Sequence, residues 1–442
     1  MEIRLSDSFS YKRLIRFVLP SVGMMIFTSI YGVVDGFFVS NFVGKTPFAA
    51  VNFIMPFLMI LGAVGFMIGT GGSAIVARTM GEGEDEKASR YFSLLIYVSI
   101  ALGITISALG IIFIRPIASM LGAQGQMLED CCTYGRIILL ANPAFIIQME
   151  FQSFFITAEK PQLGLITTVA SGVTNMALDA LLVAVLEMGL VGAALATALS
   201  QAVGGIIPLC YFSRKNSSRL KLTRTSFDGF VLLRTCTNGS SELMSNISMS
   251  LVGMLYNVQL IKYAGEDGVA AYGVLMYVSM IFIACCIGYS IGSAPIISYH
   301  FGAGNTGELK SLFRKSLVII GITSVSMLAL ALGLATPLSE LFVGYDRELM
   351  ALTMRGFYIF SFAFLFAGYA IFFSGFFTAL NDGLTSALIS FLRTLVFQVA
   401  AVILLPLIFD IDGIWLSVVA ADMMAVAFGL IFIFAKRKKY KY

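Results

Sequence analysis

The feature that most constrains this chain is its succession of long, uncharged apolar runs. FVLPSVGMMIFTSIYGVV at 17–34 holds 18 residues without a charge, and LLIYVSIALGITISALGIIFI at 94–114 holds 21. A helix crosses the hydrocarbon layer of a bilayer in about 20 apolar residues. Backbone groups in lipid must bond within their own structure, which leaves helices or closed barrels. The runs are continuous rather than alternating, so they read as helices. Composition agrees: 12% of residues are charged, against roughly 25% in a soluble domain. The chain therefore reads as an all-α integral membrane protein.

Twelve transmembrane helices are expected, near 14–42, 47–78, 91–114, 130–157, 162–186, 190–212, 228–262, 268–299, 312–335, 348–379, 384–408 and 413–435. The breaks carry turn chemistry: GEGEDEK at 81–87, GAQGQ at 122–126, EKPQ at 159–162, GAGN at 302–305 and NDG at 381–383. The first apolar run is too long for a signal-peptide core, so it is read as a retained helix. The largest polar gap, SRKNSSRLKLTRTS at 213–226, divides the chain into an N-lobe at 1–212 and a C-lobe at 227–442. Lys and Arg crowd the N-terminus (Arg4, Lys12, Arg13, Arg16), this linker and the terminal KRKKYKY. The positive-inside rule then places both termini and the linker in the cytoplasm, as in a multi-pass protein of a bacterial cell (inner) membrane.

A shift of 221 residues lays seven glycines of the first half on glycines of the second, among them Gly32 on Gly253, Gly71 on Gly292 and Gly81 on Gly302. Chance gives roughly two. The halves thus read as parallel copies, two pseudo-symmetric six-helix bundles, an arrangement suited to alternating access around a central cavity. The same shift exposes what only one copy kept. Asp35, Asn175, Asp179 and Thr197 face Tyr256, Val396, Ala400 and Val418. Asn175 and Asp179 share one helix face. With both termini inside, all four positions fall in the outer part of the membrane. Carboxylates there are costly and usually functional. Two carboxylates, an amide and a hydroxyl are hard oxygen ligands for a proton or a small cation. The competing reading is a polar cluster that fastens helices together.

From these residues a resemblance emerges. LPSVGMMIFTSIYGVVDGFFVSNFVG (19–44), GFMIGTGGSAIVARTMGEGEDEKA (65–88) and the spacing Asn175, Asp179, Thr197 resemble the MATE (multidrug and toxic compound extrusion) family, in its DinF/MepA-like branch. The likeness covers nearly the whole chain. It implies that Asp35, Asn175, Asp179 and Thr197 form a cation-coupling site. It also implies that Tyr31 and Tyr134 join the site's hydrogen bonds, and that Pro20 marks a bend in helix 1. One departure is plain: GYAIFFSGFF at 368–377 lacks the acid that another branch carries in helix 10.

Glu150, Glu242 and Asp422 are further membrane-embedded acids private to one half, set against one clear base, Arg393. They are expected to line a substrate cavity that favours organic cations, the alternative being that Glu242 or Asp422 pairs with Arg393. Other chemistries lack their residues. Six cysteines without a CxxC and a single His300 give no structural metal site. VGKT at 43–46 resembles the end of a nucleotide-binding loop, but Val39 stands where its first glycine is required. No nucleophile–base set supports an enzyme. The sequence reading is a cation-coupled antiporter, using H⁺ or Na⁺ and no cofactor, that exports amphipathic, cationic drug-like compounds. The alternative is a flippase of a lipid-linked precursor. Its partners are small molecules and the lipid bilayer, with no nucleic acid and no obligate protein partner.

Overall fold

A computed structural model describes residues 3–442, except for the side chain of Lys45. Among the described residues there is no strand. Eleven helical stretches are long and apolar enough to span a membrane. In order they are α1 (Tyr11–Phe42), α2 (Lys45–Gly81), α3 (Asp85–Leu121), α4 (Gly125–Thr157), α5 (Pro161–Leu178) with a π-helical continuation at Asp179–Val185, and α6 (Gly189–Ser213). Then follow α7 (Gly229–Gly302), α8 (Thr306–Val343), and α9 (Arg347–Phe360) joined through one 3-10 turn to α10 (Phe364–Ala379). Last come α11 (Gly383–Phe391), joined by π-helical Leu392–Phe397 to α12 (Gln398–Leu404), and α13 (Pro406–Tyr440).

The 74 residues of α7 would reach about 110 Å if straight, several times the thickness of the hydrocarbon layer. They reverse at Gly265, whose φ of 62° is open to glycine and strained for other residues. So α7 is two crossings, and the described residues make twelve. Helices α3 and α8 overrun the expected 91–114 and 312–335 because their polar ends remain helical beyond the apolar stretch. Asn305 caps α8 by accepting from the Glu308 amide at 3.1 Å.

Packing separates one end of the molecule from the other. A large hydrophobic core at the end carrying both termini joins the two halves, running from Leu5, Phe9 and Phe17 through Phe154 to Phe372, Phe376 and Tyr442. At the opposite end are two separate cores. One lies in the first half around Ile54, Ile114 and Tyr134. The other lies in the second half around Tyr256, Phe357 and Trp415. The halves are thus fused at the basic end and independent at the other.

Glycines make the fused seam possible. A Cβ on Gly71 would lie 2.1 Å from the Thr235 carbonyl oxygen, and one on Gly81 would lie 2.0 Å from that of Tyr299. The N-terminal segment straps across this seam. The Leu5 amide donates to Glu159 of the first half and the Phe9 amide to Glu308 of the second, both at 2.8 Å. Lys315 donates to the Phe9 carbonyl. The linker adds Arg219, 2.7 Å from Asp85, with its guanidinium over Tyr299.

Candidate functional site

Within the first half, four helices bring their polar residues together. Helix α1 supplies Tyr31 and Asp35, α5 supplies Asn175 and leads into Asp179, α6 supplies Thr197, and α4 supplies Tyr134. Gly172 lets α5 approach α1: a Cβ there would lie 2.5 Å from Phe27 and 2.8 Å from Tyr31. The α-helix widens to π geometry beginning at Asp179. Such widening leaves a backbone group out of the regular ladder and re-aims the side chains, a recurrent feature of functional sites.

Asp35 faces Asp179, Asn175 and Thr197 within interaction range. Thr197 Oγ1 lies 3.5 Å from Asp35 Oδ1 and 3.1 Å from the Ala193 carbonyl, so its one proton serves either acceptor. Asp179 and Asn175 are buried. Among the described residues no donor reaches either Asp179 oxygen or the Asn175 Oδ1. Tyr134, also buried, borders Asp35, Asp179 and Thr197. Tyr31 lies between Asp35 and Gln148. Gln148 Nε2 in turn donates to Ser171 Oγ at 3.2 Å, and Ser171 Oγ to the Ser200 carbonyl at 2.7 Å. The sequence reading missed Gln148, one of three buried amides in α4 with Asn142 and Gln152; an amide within an apolar run was the available signal.

Two carboxyls side by side in the membrane, Asp179 buried and Asp35 partly exposed, with no base against them among the described residues, repel one another when both are ionised. A proton or a small monovalent cation held between them relieves the repulsion. Unpartnered carboxylate and amide oxygens are suitable ligands for it. All six residues expected at the site converge.

The other expected residues lie elsewhere. Glu150 is fully buried where α4 meets Gly69 of α2, beside Ser99, and does not border open space in this conformation. Asp422 Oδ1 accepts from Arg393 Nε at 2.9 Å, which resolves the choice of partner for that base. Glu242, half-buried on α7, lies near Arg393 without an ion pair. Helix α1 passes through Pro20 without a break.

The second half holds a neutral version of the site. Tyr256 donates to Gln398 Oε1 at 2.6 Å and lies 2.7 Å from Ser417 Oγ, in helices equivalent to α1, α5 and α6. Here the hydroxyls and the amide oxygen have partners and carry no charge. The uniform shift of 221 paired Asn175 with Val396 and Thr197 with Val418, and so overlooked Gln398 and Ser417.

The chain is similar in sequence to the multidrug export protein MepA of Staphylococcus haemolyticus, 24% identical over 434 residues that cover 98% of this chain and 95% of the relative. Its fold is that of a solved MATE in complex with MaL6, with a TM-score of 0.92, 22% identity and 98% coverage of both chains. The outward-facing conformation of a multidrug resistance MATE family transporter gives a TM-score of 0.92 at 22% identity, covering 98% of this chain and 97% of that one. The MatE family model matches residues 20–181 and 243–404. Its two segments begin 223 residues apart, an offset that sets Asn175 opposite Gln398 and shows that the register of the halves is not uniform. With that model matched over more than half of its length, once in each half, the chain belongs to the MatE family of membrane transporters.

Proposed function

We propose that the protein is a secondary-active exporter. It takes a proton or sodium ion inward and moves an amphipathic, cationic small molecule outward by alternating access. One observation carries this reading: Asp35 and Asp179 lie together, with no base beside them among the described residues. A cation there removes the repulsion between α1 and the end of α5. Helix α1 also packs against α7, so occupancy of the site bears on the contact between the halves. Substrate affinity and ion affinity are then linked reciprocally.

The basic, fused end is read as cytoplasmic, with both termini and the linker there, in the cell (inner) membrane of a bacterium. The lobes are taken as 1–212 and 227–442, with 213–226 between them. Small molecules and lipid suffice as partners, and the coupling ion replaces any cofactor. Five embedded acids, Asp35, Glu150, Asp179, Glu242 and Asp422, outweigh Arg393. This excess disfavours the anionic head of a lipid-linked precursor, and with it the flippase reading.

The test is efflux of a fluorescent organic cation from cells producing the native protein, Asp35→Asn or Asp179→Asn at matched membrane levels. The expected result is loss of efflux in both variants. Native efflux rates in both would remove the proposal.

A further inference from the structure

The interior of the second half, unlike that of the first, holds a base beside its acids. Arg393 lies in the π-helical stretch Leu392–Phe397. Its Nε donates to Asp422 Oδ1 of α13 at 2.9 Å, and the two side chains retain 18% and 4% exposure. Cys286, on the second arm of α7, borders the pair, and Glu242 faces it from the first arm. Protein therefore surrounds the guanidinium on several sides, which places it inside the bundle rather than against lipid.

Only one edge of that guanidinium is used. It carries five N–H donors in a planar fork. Among the described residues Nε alone donates, and no hydrogen bond involves Nη1 or Nη2. Asp422 holds the plane in orientation and offsets the charge, leaving the terminal nitrogens available. Such a fork matches a carboxylate with two parallel, charge-assisted bonds. A purely structural ion pair in this setting would be replaceable by apolar residues at little loss. Glu242 lies beyond ion-pair distance from the fork and would repel an entering carboxylate when ionised.

Building on the exporter reading, we propose that Arg393 is a specificity-determining residue. It receives the carboxylate of amphoteric substrates and favours them over the corresponding esters.

A matched pair of probes tests this: a carboxylate-bearing rhodamine and its methyl ester. Initial efflux rates of both are measured from vesicles containing the full chain, and the acid-to-ester ratio is read. The ratio is independent of protein level. The double variant Arg393→Gln with Asp422→Asn removes both charges of the pair, so neither member is left without the other. Its ratio is expected to fall about tenfold or more, the scale of a lost hydrogen bond between charged groups. Arg393→Lys keeps the charge and its partner but not the fork, and an intermediate ratio is expected. Glu242→Gln removes the repelling neighbour and is expected to raise the ratio. An unchanged ratio in the double variant overturns the inference while leaving export itself intact. If the double variant does not fold, an unchanged ratio in Arg393→Lys overturns it instead. If the native protein exports neither probe, the exporter reading fails and this inference fails with it.

Discussion

Gly71→Ala tests whether the fused seam is a closed gate or a permanent weld. The added methyl would sit 2.1 Å from the Thr235 carbonyl oxygen and 2.6 Å from the Gly239 nitrogen, where ordinary contact begins at 3.4 Å. Both obstacles are backbone, so no rotamer change relieves the clash, and the helices must part by more than 1 Å. Overpacking of this kind costs about 1–3 kcal/mol. If the seam opens during transport, that cost falls on the closed state alone. The ratio of open to closed forms then rises roughly 5- to 150-fold. The readout is maleimide labelling of Thr235→Cys, at a buried seam position, after the six native cysteines are replaced. Labelling is expected to accelerate in Gly71→Ala. Gly253→Ala is the control, since nothing lies within 4 Å of a Cβ there. It removes a helical glycine, and no acceleration is expected. Native labelling rates in Gly71→Ala, with transport retained, would refute the reasoning.

Other expectations follow from the same contacts. Phe9 is 1% exposed and packs edge-on against Phe17 and His300. Phe9→Ala should cost about 3–5 kcal/mol of that packing and, because the strap spans both halves, should also accelerate labelling of Thr235→Cys. Tyr256→Phe leaves Gln398 Oε1 without its donor, while Ser417 keeps the Ile414 carbonyl, and should lower stability by about 1–3 kcal/mol, seen as a lower melting temperature in detergent, while the dependence of export on the ion gradient is retained. Asp382 caps α11 and binds Lys436 and Tyr440. Partial burial alone would raise its pKa, but the bonds from Lys436, Tyr440 and Thr385 outweigh it and hold the carboxyl below the usual aspartate range. A depressed carboxylate stabilises fully above its unfolded pKa, near 4, and the contribution is lost as pH falls through the lower folded value. Release of C-terminal residues by carboxypeptidase should therefore rise in Asp382→Ala at neutral pH, and an unchanged rate would argue against this anchor.

Apolar run length revealed every crossing, because the hydrocarbon layer sets that length. It could not show where α3 and α8 end, since a helix in water beyond the bilayer is held by caps and polar residues instead. Asp35, Asn175, Asp179 and Thr197 were legible because polar groups in oil stand out and because the second copy lacks them at a fixed offset. That same offset hid Gln398 and Ser417, as insertions shift register between the copies. The π widening at Asp179 has no signature in DALLVAV. The burial of Glu150 against Gly69 was also hidden, because a helix apolar on all sides does not declare which face meets protein and which meets lipid.

Transport by the purified protein in vesicles, with proton and sodium gradients imposed one at a time, bears most directly on the paired acids. Export of an organic cation should follow one of the two gradients and should vanish in Asp35→Asn and in Asp179→Asn at equal protein content. Gradient-driven export at native rates in a variant lacking both carboxylates would contradict coupling at this site.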